Sequence, residues 1–310
     1  GEMDLALPSL KDLYAASQAL NKYRREHHIV MPEQADFHFQ LNEQRKIEAI
    51  VKVERNDAHR LVEECMLAAN RSAAEWLGDD PALFVSHAGL REDRLDNVRK
   101  VMTKELPELG DCDISTLAGY KALIKACDTS SSSLPLRSTF ARMLQPGTIS
   151  AEAAPHFGLG LERYTTFTSP LRKYSDLIVQ RCIRAKLRRE AIQRPDEDTA
   201  TALQDAIRNG RQASNQMEQW LQYQYLATNT SDTVYPARIA HVNGGGFTVE
   251  LEDLGINGFV EARTIPEKLS FDADTLRLYN DHNSYQLEQK VNVKVSELDD
   301  FQRKLMFILA

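Results

Sequence analysis

The chain has 310 residues and a net charge of −7, with 42% hydrophobic and 27% charged residues. That length accommodates two domains with a sizeable core, and the acidic balance excludes a surface uniformly coated for nucleic acid while leaving room for a local basic channel. No apolar run approaches the roughly 20 residues needed to cross a membrane, no basic-then-apolar leader opens the chain, and Cys65, Cys112, Cys127 and Cys182 lack metal spacing, so reduced thiols in a cytoplasmic protein are expected.

Residues 4–30 carry Leu10, Leu13, Ala16, Leu20 and Tyr23 at spacings of three and four, the pattern of a helix. Phe37–Leu41 and Ile47–Val51 alternate as two short strands around an Asn42–Arg45 turn. Asn56–Leu77 predicts an amphipathic helix with Leu61, Cys65, Ala68 and Ala69 on one face, flanked by Met66 and Ala73, and stopped by Asp79-Asp80-Pro81. Segments 81–108 and 114–128 read as helical pieces. A polar loop at 129–133 precedes a helix over 136–144. A helix to about Glu190 and another over 198–227 complete this part. Composition changes near Asn229-Thr230-Ser231-Asp232. Beyond it, strands at 234–242, 246–251, 258–261, 291–298 and 301–309 suggest a small Greek-key barrel of OB type. The fold class expected is therefore α+β, with residues 1–230 as one domain and 231–310 as a five-stranded barrel.

The most informative stretch runs from His156-Phe157-Gly158-Leu159 through Tyr164 and Thr168-Ser169-Pro170-Leu171-Arg172-Lys173-Tyr174-Ser175-Asp176 to Gln180-Arg181. Ser169 suits a helix N-cap and Pro170 the first helical position. Arg172 then falls in the first turn, beside free backbone donors, where its charge asks for an anion such as phosphate. Residues 170–194 add Lys173, Arg181, Arg184, Lys186, Arg188, Arg189 and Arg194 against only Asp176 and Glu190. Alone, such a run reads as a solvated helix face. Continuous with an anion site, it suits the tracking of phosphates.

This stretch closely resembles the signature of the ribonuclease II family of exoribonucleases, and the resemblance extends over residues 10–309. It implies the C-terminal half of an RNB-type catalytic domain followed by an RNA-binding barrel. It further implies hydrolytic, processive 3′→5′ degradation of single-stranded RNA to nucleoside 5′-monophosphates, with magnesium held by aspartates and a role in mRNA degradation. The aspartate cluster is not found in this sequence. Asp79-Asp80, Asp111/Asp113 and Asp299-Asp300 read as structural turns, so no metal ligand is assigned. The chain is accordingly read as a C-terminal part that alone is inactive. Its expected partners are single-stranded RNA and the N-terminal portion of the same enzyme as a separate piece, with no membrane. A catalytically empty RNA-binding subunit or regulator is the alternative.

Residue by residue, the resemblance implies that Arg172 is the catalytic arginine beside the scissile phosphate. It places Glu63 at the terminal ribose, with Glu64 as the neighbouring alternative. His156 and Tyr164 are expected to shape the channel, and Lys173 belongs to its basic lining. Met31 stands where a base-stacking phenylalanine is usual. Ser214 stands where a glutamate near the 3′ end is usual. The barrel resembles the RNA-binding domain named for ribosomal protein S-one over residues 237–251 and 255–260. Phe247 and Phe259 match its RNA-facing aromatics, with a core location as the alternative. Residues 231–310 hold 13 acidic and 8 basic side chains, a net −5, which weakens the expectation of tight independent RNA binding.

Overall fold

The computed structural model describes residues 8–33, 35–229, 233–299 and 304–310. Helix α1 (Pro8–His27) is followed by the hairpin β1 (Asp36–Leu41) and β2 (Ile47–Val53), then α2 (Asp57–Leu77) and β3 (Phe84–Ser86). Helices α3 (Leu95–Glu105), α4 (Leu117–Thr129) and α5 (Leu136–Ala141) precede β4 (Thr148–Ser150), α6 (Tyr174–Arg188) and the long α7 (Glu197–Asn229). The C-terminal part holds β5 (Tyr235–Asn243), β6 (Gly246–Leu251), β7 (Asn257–Glu261), β8 (Ser270–Asp272), β9 (Arg277–Tyr279), β10 (Ser284–Tyr285), β11 (Lys290–Asp299) and β12 (Lys304–Leu309).

Local sequence explains the firmest boundaries. Asn56 caps α2 by accepting from the His59 amide at 3.2 Å, while the His59 ring lies 3.3 Å from the Asn56 amide, a reciprocal cap. Thr116 caps α4 through the Gly119 amide at 3.1 Å. The β1–β2 turn closes with Arg45 in the left-handed region, at φ 58°.

The helix expected over 4–30 forms as α1, and two other expectations need correction. The apolar stripe of α1 stays open, with Leu10, Leu13 and Tyr23 exposed, and the residue it buries is Ser17. The contact with α2 is polar: Asn21 and Arg24 reach Glu64, and the Tyr14 hydroxyl donates to Asp57 at 3.2 Å. On α2 the buried face carries Glu64, Asn70, Ala73, Ala74 and Leu77, while Leu61, Cys65, Ala68 and Ala69 are half-buried. Segment 81–108 is not simply helical, and the helix expected over 136–144 ends at Ala141. Phe84–Ser86 and Thr148–Ser150 pair as a short antiparallel ladder, where three-residue strands leave too little period to read.

One core forms around α3, α4 and α5, with Val98, Leu123, Ile114 and Phe140 fully enclosed. A smaller one joins Ala74, Leu77 and Phe84 to Val179 and Cys182 of α6. The barrel closes in the order β11-β12-β7-β6-β5, with β7 and β12 parallel and the other pairs antiparallel. Tyr223 and Leu226 of α7 enter the barrel core, so the helix fastens the two parts together. Between β7 and β11 the chain inserts the three-stranded sheet β10-β9-β8, which the sequence did not announce. The linker at 230–232 and the last barrel hairpin at 300–303 lie outside the described residues.

Candidate RNA site

The signature folds as an irregular segment held from three sides. Val85 N–H donates to Tyr164 O at 2.9 Å, and Thr165 Oγ1 donates to Leu83 O at 2.6 Å. Asn70 Oδ1 accepts from Phe167 N–H at 3.1 Å, and Gln180 Nε2 donates to Phe167 O at 2.9 Å. The centre is Asp176, fully buried. It accepts from Thr166 Oγ1 at 2.7 Å, from Ser169 N–H at 2.9 Å and from Ser175 Oγ at 3.3 Å.

Asp176 changes the expected geometry of Arg172. Helix α6 begins at Tyr174 with Lys173 in the cap position, not at Ser169. Ser169 gives its amide to Asp176, and its carbonyl accepts from the amides of Arg172 at 3.3 Å and Lys173 at 3.0 Å. Ser169–Arg172 is therefore a turn, with Pro170 in the position a turn favours. Arg172 sits on that turn rather than in the helix. Its side chain is exposed and has no hydrogen bond or ion pair among the described residues. Leu171 is fully exposed beside it and Tyr174 is 57% exposed. A cation presented without a carboxylate partner is free to bind phosphate.

The basic run divides. Lys186 pairs with Asp80 at 2.6 Å, donates to Trp76 O at 2.5 Å and lies 4.6 Å from the Trp76 ring centroid. It is structural. Arg189 ends the helix in the left-handed conformation, at φ 58°. Arg181 and Arg184 are exposed on α6 without partners among the described residues. They continue the cationic face from Lys173, which is half-buried.

Met31 and Glu63 share a cleft of about 980 Å³ that reaches from α1 and α2 to Arg238 and Glu288 of the barrel. The two candidate glutamates separate cleanly. Glu64 is 4% exposed and saturated, with Asn21 Nδ2 at 2.6 Å, Arg24 Nε at 3.1 Å and Arg24 Nη2 at 2.5 Å. Glu63 is half-exposed, and its carboxylate is paired with Arg55. Arg60 forks onto Glu33 at 2.9 and 3.1 Å on the same rim, which holds the Glu33 carboxyl below its usual range. Met31 is 48% exposed at the mouth.

His156 and Tyr164 are scaffolding in this structure. The Tyr164 hydroxyl is buried and accepts from Asn70 Nδ2 at 3.0 Å, and burial raises its pKa. His156 Nδ1 accepts from Leu159 N–H at 3.2 Å, which places the ring proton on Nε2. Its ring meets His87 edge-on at 5.4 Å and Tyr164 at 5.6 Å. Burial first, then the neighbouring His87, push the His156 pKa down to about 4. The turn ends at Gly160, at φ +69°, where a Cβ would stand 2.9 Å from the Ile29 amide. Only glycine fits there.

In the barrel the two aromatics part company. Phe247 is fully buried and stacks on Tyr285 of β10 at 5.2 Å, so its expected RNA-facing place is corrected to a core one. The inserted sheet β8–β10 supplies the covering ring. Phe259 is half-exposed in a cleft of about 860 Å³, with Thr248, Asn257, Arg263, Met306 and α7's Gln219. It lies across Gly246, where a Cβ would come within 2.8 Å of its ring. Ser214 is exposed on a stretch of α7 that is exposed all round, and it lines neither cleft. Sequence reasoning passed over Asn70, His87 and the holding role of Asp176. The signal for Asn70 was a polar residue set next to Ala73, Ala74 and Leu77 on α2.

Among the described residues, no group of three or more His, Cys, Asp or Glu side chains converges as a metal site. Around the cleft and the turn, Asp176 is committed to three donors, Glu64 to Arg24 and Asn21, and Glu63 to Arg55, while Asp36 stands on the rim apart from them. These residues do not fit a magnesium ion. No described helix is long and apolar enough to cross a membrane.

A family model described as the RNB domain matches residues 4–189, and the S1 RNA binding domain matches residues 229–307. The chain is 30% identical to Exoribonuclease 2 of Haemophilus influenzae over 98% of its own length and 49% of that protein's. It is 31% identical to Exoribonuclease 2 of Pasteurella multocida over 95% and 47%. It thus spans about half the length of the curated relatives it matches. In fold it resembles the apo form of Mycoplasma genitalium RNase R, with a TM-score of 0.79 and 17% identity, over all of this chain and 51% of that one. That protein is also known in complexes with ribose methylated single-stranded RNA and with double-stranded RNA.

Proposed function

The chain belongs to the RNB-domain, or ribonuclease II, family of exoribonucleases, and on that premise we propose that it forms the RNA-gripping half of a hydrolytic 3′→5′ exoribonuclease. The observation that carries the reading is the free Arg172 guanidinium, held out on a turn that buried Asp176 fixes. A planar fork on a rigid turn can hold two oxygens of one phosphate and stabilise the charge that builds as the bond to the terminal nucleotide breaks. Arg181 and Arg184 would track the preceding phosphates. Glu63 on the cleft wall would accept from the terminal 2′-hydroxyl, which distinguishes RNA from DNA, and Met31 would pack on a base at the mouth. Processive release of 5′-monophosphates from single-stranded RNA is the activity proposed for the whole site, in cytoplasmic mRNA degradation.

Magnesium, the metal such chemistry would use, has no fitting ligand set among the described residues. We propose that its ligands come with a second segment corresponding to the other half of the curated relatives, and that the present chain alone binds single-stranded RNA without cutting it. The test is to incubate the chain with labelled single-stranded RNA, alone and mixed with the N-terminal half of the Haemophilus influenzae relative. The expected result is binding without degradation by the chain alone, and stepwise monophosphate release by the mixture. Stepwise release by the chain alone would refute the division of labour.

A further inference from the structure

Helix α1 ends in Arg24, Arg25, Glu26 and His27, and the chain then turns through His28, Ile29 and Val30. Across from it, α4 presents Lys121 and Lys125 one turn apart. Between them lies a groove of about 600 Å³. Ile29, Val30, Ala122 and Ile124 contribute apolar lining, and Arg25, His27, His28, Lys121, Lys125 and Arg137 contribute basic groups. The two carboxylates present are Glu26 and Asp128, and Asp128 is already engaged by Arg137. Arg25 spends only Nε, which donates to Asn21 at 2.8 Å. Lys121 and Lys125 have no hydrogen bond or ion pair among the described residues.

Two like charges at i and i+4 work against a helix, so the pair invites an anion. The surplus charge is felt at His28. Its pKa is pushed down, by burial first and then by Arg71, Lys121 and His27, against the opposing hydrogen bond to Gly160. At the side of the groove, His27 stacks on Tyr23 with centroids 4.2 Å apart, and Tyr23 is 44% exposed. The groove also adjoins the larger cleft, since Arg25, Val30, Asp128 and Arg137 line both.

We propose that this groove is a second nucleotide-phosphate site, branching from the Met31–Glu63 cleft. Arg25, Lys121 and Lys125 hold the phosphate, and the apolar lining receives the base or ribose. The volume suits one nucleotide. The occupant is a phosphate ester in either case: the mononucleotide released by the reaction, or one unit of the RNA strand. The inference rests on the RNA-handling reading above.

The test uses the full chain with adenosine 5′-monophosphate, followed by calorimetry, and a fluorescein-labelled oligoadenylate, followed by anisotropy across a salt series. Wild type is compared with Lys121→Gln/Lys125→Gln, with the charge-preserving Lys121→Arg/Lys125→Arg, and with Lys100→Gln/Lys104→Gln on exposed α3 as a matched charge control. If the mononucleotide is the occupant, the first pair weakens its binding about a hundredfold, the loss of two charged hydrogen bonds at about tenfold each. If the strand is the occupant, the slope of log K against log salt falls by about 0.7, the one phosphate that the two lysines share. Either result, with the arginine pair near wild type and the α3 pair silent, supports the site. If wild type binds the oligonucleotide but the groove pair changes neither ligand, the groove inference falls and the RNA-gripping reading stands. If wild type binds neither ligand, both fall.

Discussion

Asp176→Ala is the perturbation that most directly tests how the arginine turn is built. The side chain is fully buried, and its two oxygens serve three donors. Two of those are hydroxyls that can rotate. The third, the Ser169 amide, is fixed by a turn whose carbonyl already takes two bonds. A buried donor left unpaired costs about 1–3 kcal/mol, and bonds to a charged acceptor are worth roughly 1.5–3 kcal/mol each. A total near 3–4 kcal/mol follows once hydroxyl rotation is allowed for. With a urea slope of about 2–3 kcal/mol/M, the part N-terminal to the barrel should unfold at a midpoint roughly 1–2 M lower. Asp176→Asn should cost less, about 1 kcal/mol, because the amide oxygen can accept from Ser169 while its nitrogen donates to Thr166. Trp76 fluorescence provides the assay, since Lys186 of α6 lies over its ring. A midpoint shift below about 0.3 M for the alanine variant would refute the claim that Asp176 holds the turn.

Phe247→Ala should destabilise the barrel by about 3–5 kcal/mol, as truncation of a fully enclosed ring does, read as loss of the barrel transition in thermal melts. Phe259→Ala should leave that transition in place and weaken single-strand binding by roughly 1–3 kcal/mol, read by filter binding at one fixed salt concentration. His156 links stability to pH. Its folded pKa of about 4 lies below the ordinary 6.5, so protonation favours the unfolded chain. Its stabilising contribution is full above pH 6.5 and is lost as pH falls from 6.5 towards 4. His156→Gln should make urea midpoints fall less steeply across that window, with the depressed His28, His87 and His241 supplying the remaining slope.

The alternating barrel strands were legible because each buries one face, and period-two patterning survives in 246–251 and 257–261. The helix α2 was legible in extent through its Asn56 cap, while the face it buries was not. Glu64 and Asn70 are inside because they tie α1 and the signature loop to the helix, and no hydropathy pattern marks a buried acid. The same holds for Asp176, visible in the sequence only as one acid in a basic run. Ser169 and Pro170 are good helix-start residues, yet the start lies four residues later because Lys173 is extended, at φ −124° and ψ 117°, and separates their turn from the helix. Phe247 could not be placed from its own strand, since the ring that covers it belongs to an inserted sheet about 38 residues on.

The central claim, that Arg172 meets the reacting phosphate through its planar fork, is tested most directly by Arg172→Lys in the reconstituted mixture that degrades RNA. Lysine keeps the charge and loses the fork. The rate of monophosphate release should fall on the order of 10²-fold, nearly as far as for Arg172→Ala, while strand binding by the other cations changes far less. Near-normal turnover in the lysine variant would contradict that claim.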